Sequence, residues 1–231
     1  MTEKTFAFVV YPGLTVLELV GPLQVLSAYA AAEPGFRVVV VGETLEATAT
    51  DTPLRIAPSH TFDQVGEPYG ILVPGGAAPT LRALANRPLL DYLTTTARTA
   101  TLVTSVCTGS LLLGEAGLLT GREATTHWLF RDVLRAFGAT PVAKRWAEDG
   151  PVITAAGVSA GIDLALHLVE RLAGPEVART VQFGIEYDPE PPLGALDWPS
   201  APYRDLKPLI EHSLDGLADR PDLKAKLLTY V

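Results

Sequence analysis

Short apolar runs alternate with helix-spaced apolar positions along this chain. Phe6-Ala7-Phe8-Val9-Val10-Tyr11, Phe36 to Gly42, Gly70-Ile71-Leu72-Val73 and Thr101 to Val106 are nearly continuous in apolar or β-branched residues. Such runs suit strands buried on both faces of a parallel sheet. Helical spacing appears between them. Leu23, Val25 and Leu26 lead to about Ala32, with Pro22 read as the first helical residue. Leu81, Leu84, Leu89, Leu90 and Leu93 mark a helical stretch between Pro79 and Ala100, and Leu111 to Leu119 marks the next. Further helices are predicted from Trp128 through Phe137, from Ile162 to Leu172 and from Pro175 to Tyr187. Residues 44–59 read as a hairpin or short edge pair turning at Asp51-Thr52-Pro53. Pro141-Val142 reads as a short strand, and Trp146 to Ile153 as a hairpin turning at Glu148-Asp149-Gly150.

Strands that alternate with helices predict an α/β fold: a doubly wound, mostly parallel sheet with helices on both faces. Residues 1–187 form that domain. From Asp188 the chain is rich in proline and reads as irregular until a last helical stretch at Pro221 to Tyr230. This extension, 188–231, is expected to pack on the domain or on a dimer partner.

Composition narrows the classes. The formal net charge of -8 gives no basic patch, so no nucleic-acid partner is expected. One cysteine makes no internal disulfide, and no ligand cluster or Gly-rich phosphate loop is present, so neither metal nor cofactor is expected. No apolar run reaches the roughly 18 residues of a membrane span. Met1-Thr2-Glu3-Lys4-Thr5 lacks the basic-then-apolar pattern of a leader. A cytoplasmic protein acting on a small-molecule substrate, away from membranes, is the expectation.

In a doubly wound sheet, ligands bind outside the carboxyl ends of the strands. Three segments fall there: the one with Glu18, the Pro74-Gly75-Gly76 loop and the turn at Cys107. Cys107 sits where an apolar strand meets small residues, Thr108-Gly109-Ser110, and then a helix start. That strand–turn–helix pattern lifts a nucleophile out of a sheet, and a helix N-terminus favours the thiolate. A buried structural cysteine is the alternative. Glu18 is the lone carboxylate of an apolar segment, and burial there would keep it protonated near neutral pH. The alternative is a solvent-facing side chain. Gly75 and Gly76 offer backbone N–H groups to a developing negative charge, or form an ordinary tight turn. Among the histidines, His127 stands nearest the predicted site, although Thr125 and Thr126 before it also suit a helix cap. His167 reads as structural, and His60 and His212 as loop or surface residues.

These segments together resemble the ThiJ/PfpI superfamily, which is class I glutamine amidotransferase-like. The resemblance is carried by Leu17-Glu18-Leu19-Val20-Gly21-Pro22, Val73-Pro74-Gly75-Gly76, Ser105 to Ser110, Ala124-Thr125-Thr126-His127-Trp128 and Ala156 to Asp163. It runs from residue 5 to about 187. It implies a flavodoxin-like fold, a homodimer and a nucleophile elbow at Cys107. Within the superfamily the chain is most similar to isocyanide hydratases, and also similar to the sensor domains of AraC-type regulators. The segment after Tyr187 is too short and too acidic for the helix-turn-helix domain of those regulators.

The hydratase resemblance implies hydration of an isocyanide to an N-substituted formamide through a covalent thioimidate on Cys107. Thr108 and the Gly157-Val158-Ser159 turn match the hydratase pattern. Hydratases of this kind use Asp as the acid, whereas this chain has Glu18, the usual acidic neighbour of the cysteine in the wider superfamily. The alternatives are a glyoxalase or deglycase acting on 2-oxoaldehydes, or a redox or ligand sensor without turnover. Thr108 in place of a histidine beside the cysteine speaks against the first alternative.

Overall fold

A computed structural model describes residues 3–231; the Met1-Thr2 part of the leader reading lies outside it. The first strand is β1 (Lys4–Val9), followed by α1 (Val16–Ala32) and β2 (Phe36–Gly42). Two-residue pieces β3 (Thr48–Ala49) and β4 (Arg55–Ile56) make the expected small hairpin, and β5 (His60–Thr61) joins the edge of the main sheet. Next come β6 (Gly70–Val73), α2 (Ala78–Ala83), α3 (Arg87–Thr96), β7 (Leu102–Val106) and α4 (Gly109–Glu115). After a short pair, β8 (Glu123–Ala124) and β9 (Thr140–Pro141), the chain adds β10 (Trp146–Asp149) and β11 (Val152–Ala155). It ends with α5 (Ala160–Ala173), α6 (Pro175–Gly184), α7 (Tyr203–Ser213) and α8 (Pro221–Leu228).

The main sheet has seven strands in the order β10-β11-β7-β6-β1-β2-β5. Every pair is parallel except β10 with β11. β1 is flanked by β2 on one side and β6 on the other. The winding therefore reverses between β1 and β6, and a crevice opens at their carboxyl ends. Right-handed crossovers in opposite directions place the helices on opposite faces. Accordingly α1, α5 and α6 pack together, while α2, α3 and α4 form the other group. Phe6, Phe8, Ile71 and Leu72 are fully buried between them, each worth about 1.5–3 kcal/mol of apolar transfer.

Several expectations need correction. α1 starts at Val16, six residues before Pro22, and Pro22 lies inside it. The early start is secured from outside the helix, because Asp51 Oδ1 accepts the Val16 N–H at 2.9 Å and caps the first turn. Pro22 has no N–H to give the Glu18 carbonyl, yet its ring is used: it packs over Gly161, where a Cβ would come within 3.2 Å. The stretch from Pro79 to Ala100 is two helices, split where the Asn86 side chain caps α3 by accepting from Leu89 N–H. Residues 128–137 wind as two 3₁₀ segments rather than an α-helix. Within 188–231, Tyr203–Ser213 is helical despite Pro208. This extension lies on its own domain, where α7 and the turn at Leu214–Leu217 pack on α2 and α8 packs near Asp132–Phe137. Among the described residues, no helix is long and apolar enough to cross a membrane.

Candidate active site

Strand β7 delivers Cys107 to the crevice, and the backbone turns there with φ of 57°. A left-handed conformation at a non-glycine residue costs on the order of 1–3 kcal/mol and persists only where its surroundings enforce it. The enforcing contacts are specific. Cys107 N–H is shared between the carbonyls of Ala155 and Ala156, at 3.1 and 3.0 Å. Its own carbonyl accepts from Thr126 Oγ1 at 2.8 Å and Ser110 Oγ at 3.0 Å. Gly109 follows because a Cβ there would overlap the Val73 carbonyl. Thr126 is thus a clamp on the cysteine peptide, not the helix cap that its neighbours suggest. Thr125 also serves elsewhere, its hydroxyl donating to the Lys144 carbonyl at 3.2 Å.

Glu18, in the first turn of α1, is 1% exposed. Its Oε2 accepts the Gly75 N–H at 2.6 Å, while Oε1 is buried without a well-aligned partner. The carboxyl lies against the Cys107 thiol, and the two groups act on one another. Burial raises Glu18 from 4.5 to about 8, against the opposing pull of Cys107 and the Gly75 N–H. Burial also pushes the Cys107 thiol up, and the charge of Glu18 pushes further. The N–H groups of Thr108 and Val158 face the sulfur and pull the other way, without prevailing. The depression expected from a helix N-terminus is therefore overcome by burial beside a carboxylate.

The structure gives the Gly75-Gly76 loop a different task from the one expected. Gly75 N–H is taken by Glu18, and Gly76 N–H is taken by Thr108 Oγ1 at 3.1 Å. Neither N–H is left to receive charge on a substrate. Both positions require glycine because neighbours approach so closely: a Cβ at 75 would overlap Thr108, and one at 76 would meet the Gly13 carbonyl at 2.9 Å. Thr108 Oγ1 also accepts the Ala77 N–H at 3.2 Å and meets Thr80 Oγ1 at 3.0 Å.

The Gly157-Val158 turn closes the other side of the thiol. Val158 holds φ of 33°, a rare value for a β-branched residue. His127 packs on Gly157 and its Nδ1 accepts the Leu129 N–H at 3.3 Å. Burial and then Arg131 lower its pKa, so the ring is neutral near pH 7. His127 thus lines the wall behind the Gly157-Val158 turn. The other histidines lie elsewhere: His167 stacks on Trp146 and pairs with Glu148, His60 is on the sheet edge, and His212 is exposed on α7. Among the described residues, no three His, Cys, Asp or Glu side chains converge on a metal-sized site. Tyr11, Thr80 and Thr126 complete the site, and none announces itself in the sequence. The one available signal is a hydroxyl in an otherwise apolar or tightly turned segment.

The model of the DJ-1/PfpI family matches residues 4–171. The chain belongs to that family. Among DJ-1/PfpI-related proteins, it is 40% identical over 195 residues to an isonitrile hydratase of Pseudomonas putida, spanning 84% of this chain and 83% of that one. A crystal structure of a ThiJ/PfpI family protein from Pseudomonas syringae superposes with a TM-score of 0.85 at 36% identity, covering 98% and 91% of the two chains. A glutathione-independent glyoxalase of Caenorhabditis elegans is 30% identical over 162 residues, or 68% of this chain and 77% of that protein. The superfamily resemblance and the flavodoxin-like architecture thus hold.

Proposed function

We propose that this protein hydrates an isocyanide, R–N≡C, to the N-substituted formamide. One observation carries the reading: a protonatable buried carboxyl, Glu18, fixed by one oxygen against the only cysteine. The 40% identity to an isonitrile hydratase supports the substrate class.

The chemistry follows from one proton shared by the pair. Cys107 as thiolate attacks the terminal carbon, and Glu18 delivers its proton to that carbon, giving the thioimidate R–N=CH–S–Cys107. The N–H groups of Thr108 and Val158 steady the sulfur meanwhile. Water then adds across C=N with the Glu18 carboxylate as base, its proton passing to nitrogen. The tetrahedral adduct returns its hydroxyl proton to Glu18 as the C–S bond breaks. Formamide leaves, and the thiolate with protonated Glu18 is regenerated. Burial keeps the carboxyl available as an acid, and because the pair shares one proton, the reactive form is the tautomer with that proton on Glu18 and the thiolate on Cys107. In the same reading the chain pairs with a second copy along α1, whose Leu17 and Val20 remain exposed.

A second reading is favoured by Glu at this position and by the likeness to a glyoxalase: attack of Cys107 on the aldehyde carbon of a 2-oxoaldehyde. The test is a panel of alkyl and aryl isocyanides beside methylglyoxal, followed by proton NMR. Formamide signals from the isocyanides and inert methylglyoxal are expected. Lactate from methylglyoxal, with isocyanides unchanged, replaces the first reading with the second.

A further inference from the structure

We propose that Tyr11 and Thr80 are positioning residues for the acid: a one-way chain of buried hydroxyls holds the Gly75–Ala77 loop, and with it Glu18, against Cys107. The inference rests on the reading of Glu18 as the proton donor.

The direction of each bond follows from counting hydrogens. Tyr11 has one hydroxyl hydrogen and gives it to the Pro74 carbonyl at 2.9 Å. At its 2.8 Å contact with Thr80 Oγ1, Tyr11 must therefore accept, and Thr80 donates. Thr80 has then spent its only hydrogen, so at the 3.0 Å contact with Thr108 it accepts and Thr108 donates. The remaining capacity of Thr108 Oγ1 is filled by the Gly76 and Ala77 N–H groups. Every hydroxyl in the chain has one assignment. Proton delivery from Thr108 to a substrate would break the chain, which leaves Glu18 as the donor.

The two ends of this chain return to one short segment. It begins on the Pro74 carbonyl and ends on the N–H groups of Gly76 and Ala77, enclosing Gly75, whose N–H holds Glu18. The segment needs such a fastening. Ala77 stands at φ of 46°, outside the range a non-glycine residue prefers, and α2 begins directly after it. Tyr11 and Thr80 are both buried, one just beyond the end of β1 and the other on α2, so they fasten the loop to the segments that follow β1 and β6. The ionisable groups acting on the pair are Asp51, beside α1, and Tyr11 itself.

The test compares Thr80→Val, which keeps the shape and removes the hydroxyl, with Thr80→Ser, which keeps the hydroxyl. Each full-length variant is checked by circular dichroism and read in two ways. The first is the pH profile of Cys107 alkylation by iodoacetamide, which needs no substrate. The second is kcat and KM with an isocyanide. Loosening the loop withdraws the Gly75 N–H from Glu18, which then keeps its proton to higher pH and weighs less on the sulfur, so the alkylation midpoint of Thr80→Val moves to lower pH. Its kcat falls about 10–100-fold with KM within about threefold, and Thr80→Ser restores both. A folded Thr80→Val with the wild-type alkylation profile overturns the inference, as does failure of Thr80→Ser to restore it. If Thr80→Val does not fold, Tyr11→Phe is judged by the same profile, with the same downward shift expected. Wild-type protein inert toward isocyanides would sink the proposed activity instead, and the alkylation comparison still decides this inference.

Discussion

Gly157 packs against the imidazole of His127, so near that a Cβ would come 2.5 Å from Cδ2. Neither neighbour can yield cheaply, because His127 is held by the Leu129 N–H and Val158 is already strained. Gly157→Ala should cost about 1–3 kcal/mol, the usual penalty for overfilling a packed site. It should also lower kcat, since the displaced turn carries the Val158 N–H away from the sulfur. Urea denaturation beside steady-state kinetics reads both; an unchanged midpoint with full activity would show that the wall is soft.

Cys107→Ser and Cys107→Ala should both fold and both lose turnover by at least about 10³-fold. The side chain is small, and its loss opens little space. The strain at φ of 57° belongs to the backbone and remains in both variants. Cys107→Gly relieves it and should melt at higher temperature than Cys107→Ala by calorimetry. Equal melting would mean the turn is held without strain.

Glu18→Gln retains shape and a Gly75 contact but carries no transferable proton. Turnover should drop roughly 10²–10⁴-fold, the span of lost general acid catalysis. In the wild type, the one-proton form of the pair appears as pH rises through about 8, so the rate should climb over that range. Stopped-flow measurement between pH 6 and 10 would expose a flat profile, which contradicts the coupling.

The same carboxyl predicts a stability signature. Native Glu18 holds its proton to about pH 8, whereas the unfolded chain releases it near 4.5. Between those values the native state binds the extra proton, so stability falls as pH rises, by about 1.4 kcal/mol per unit. Glu18→Gln removes that slope. His127, held below its usual range, acts in both proteins and cancels in their difference. Denaturant titrations of the pair at pH 5, 6.5 and 8 should diverge steadily; parallel curves would mean that Glu18 ionises normally.

The strands were legible because parallel strands covered on both faces need unbroken apolar runs, as Phe36 to Gly42 shows. Cys107 and Glu18 were legible as polar exceptions in apolar surroundings. The start of α1 was hidden because its cap, Asp51, comes from a hairpin 35 positions downstream. The first helix of the extension, α7, was masked by Pro208, which it accommodates. The hydroxyl chain was invisible for a related reason. Tyr11 and Thr80 stand 69 positions apart, and only the sheet order brings β1 and β6 side by side.

That the acid hangs from the Gly75 main chain has a genetic corollary. Side-chain anchors can be erased by many codon changes, but an amide N–H is common to every residue except proline. Among substitutions at position 75, Pro alone deletes the donor itself. The others leave it in place and act by crowding Thr108. Deep mutational scanning should therefore record position 75 as a size constraint, and the electrostatic partner of Glu18 would stay hidden in such data.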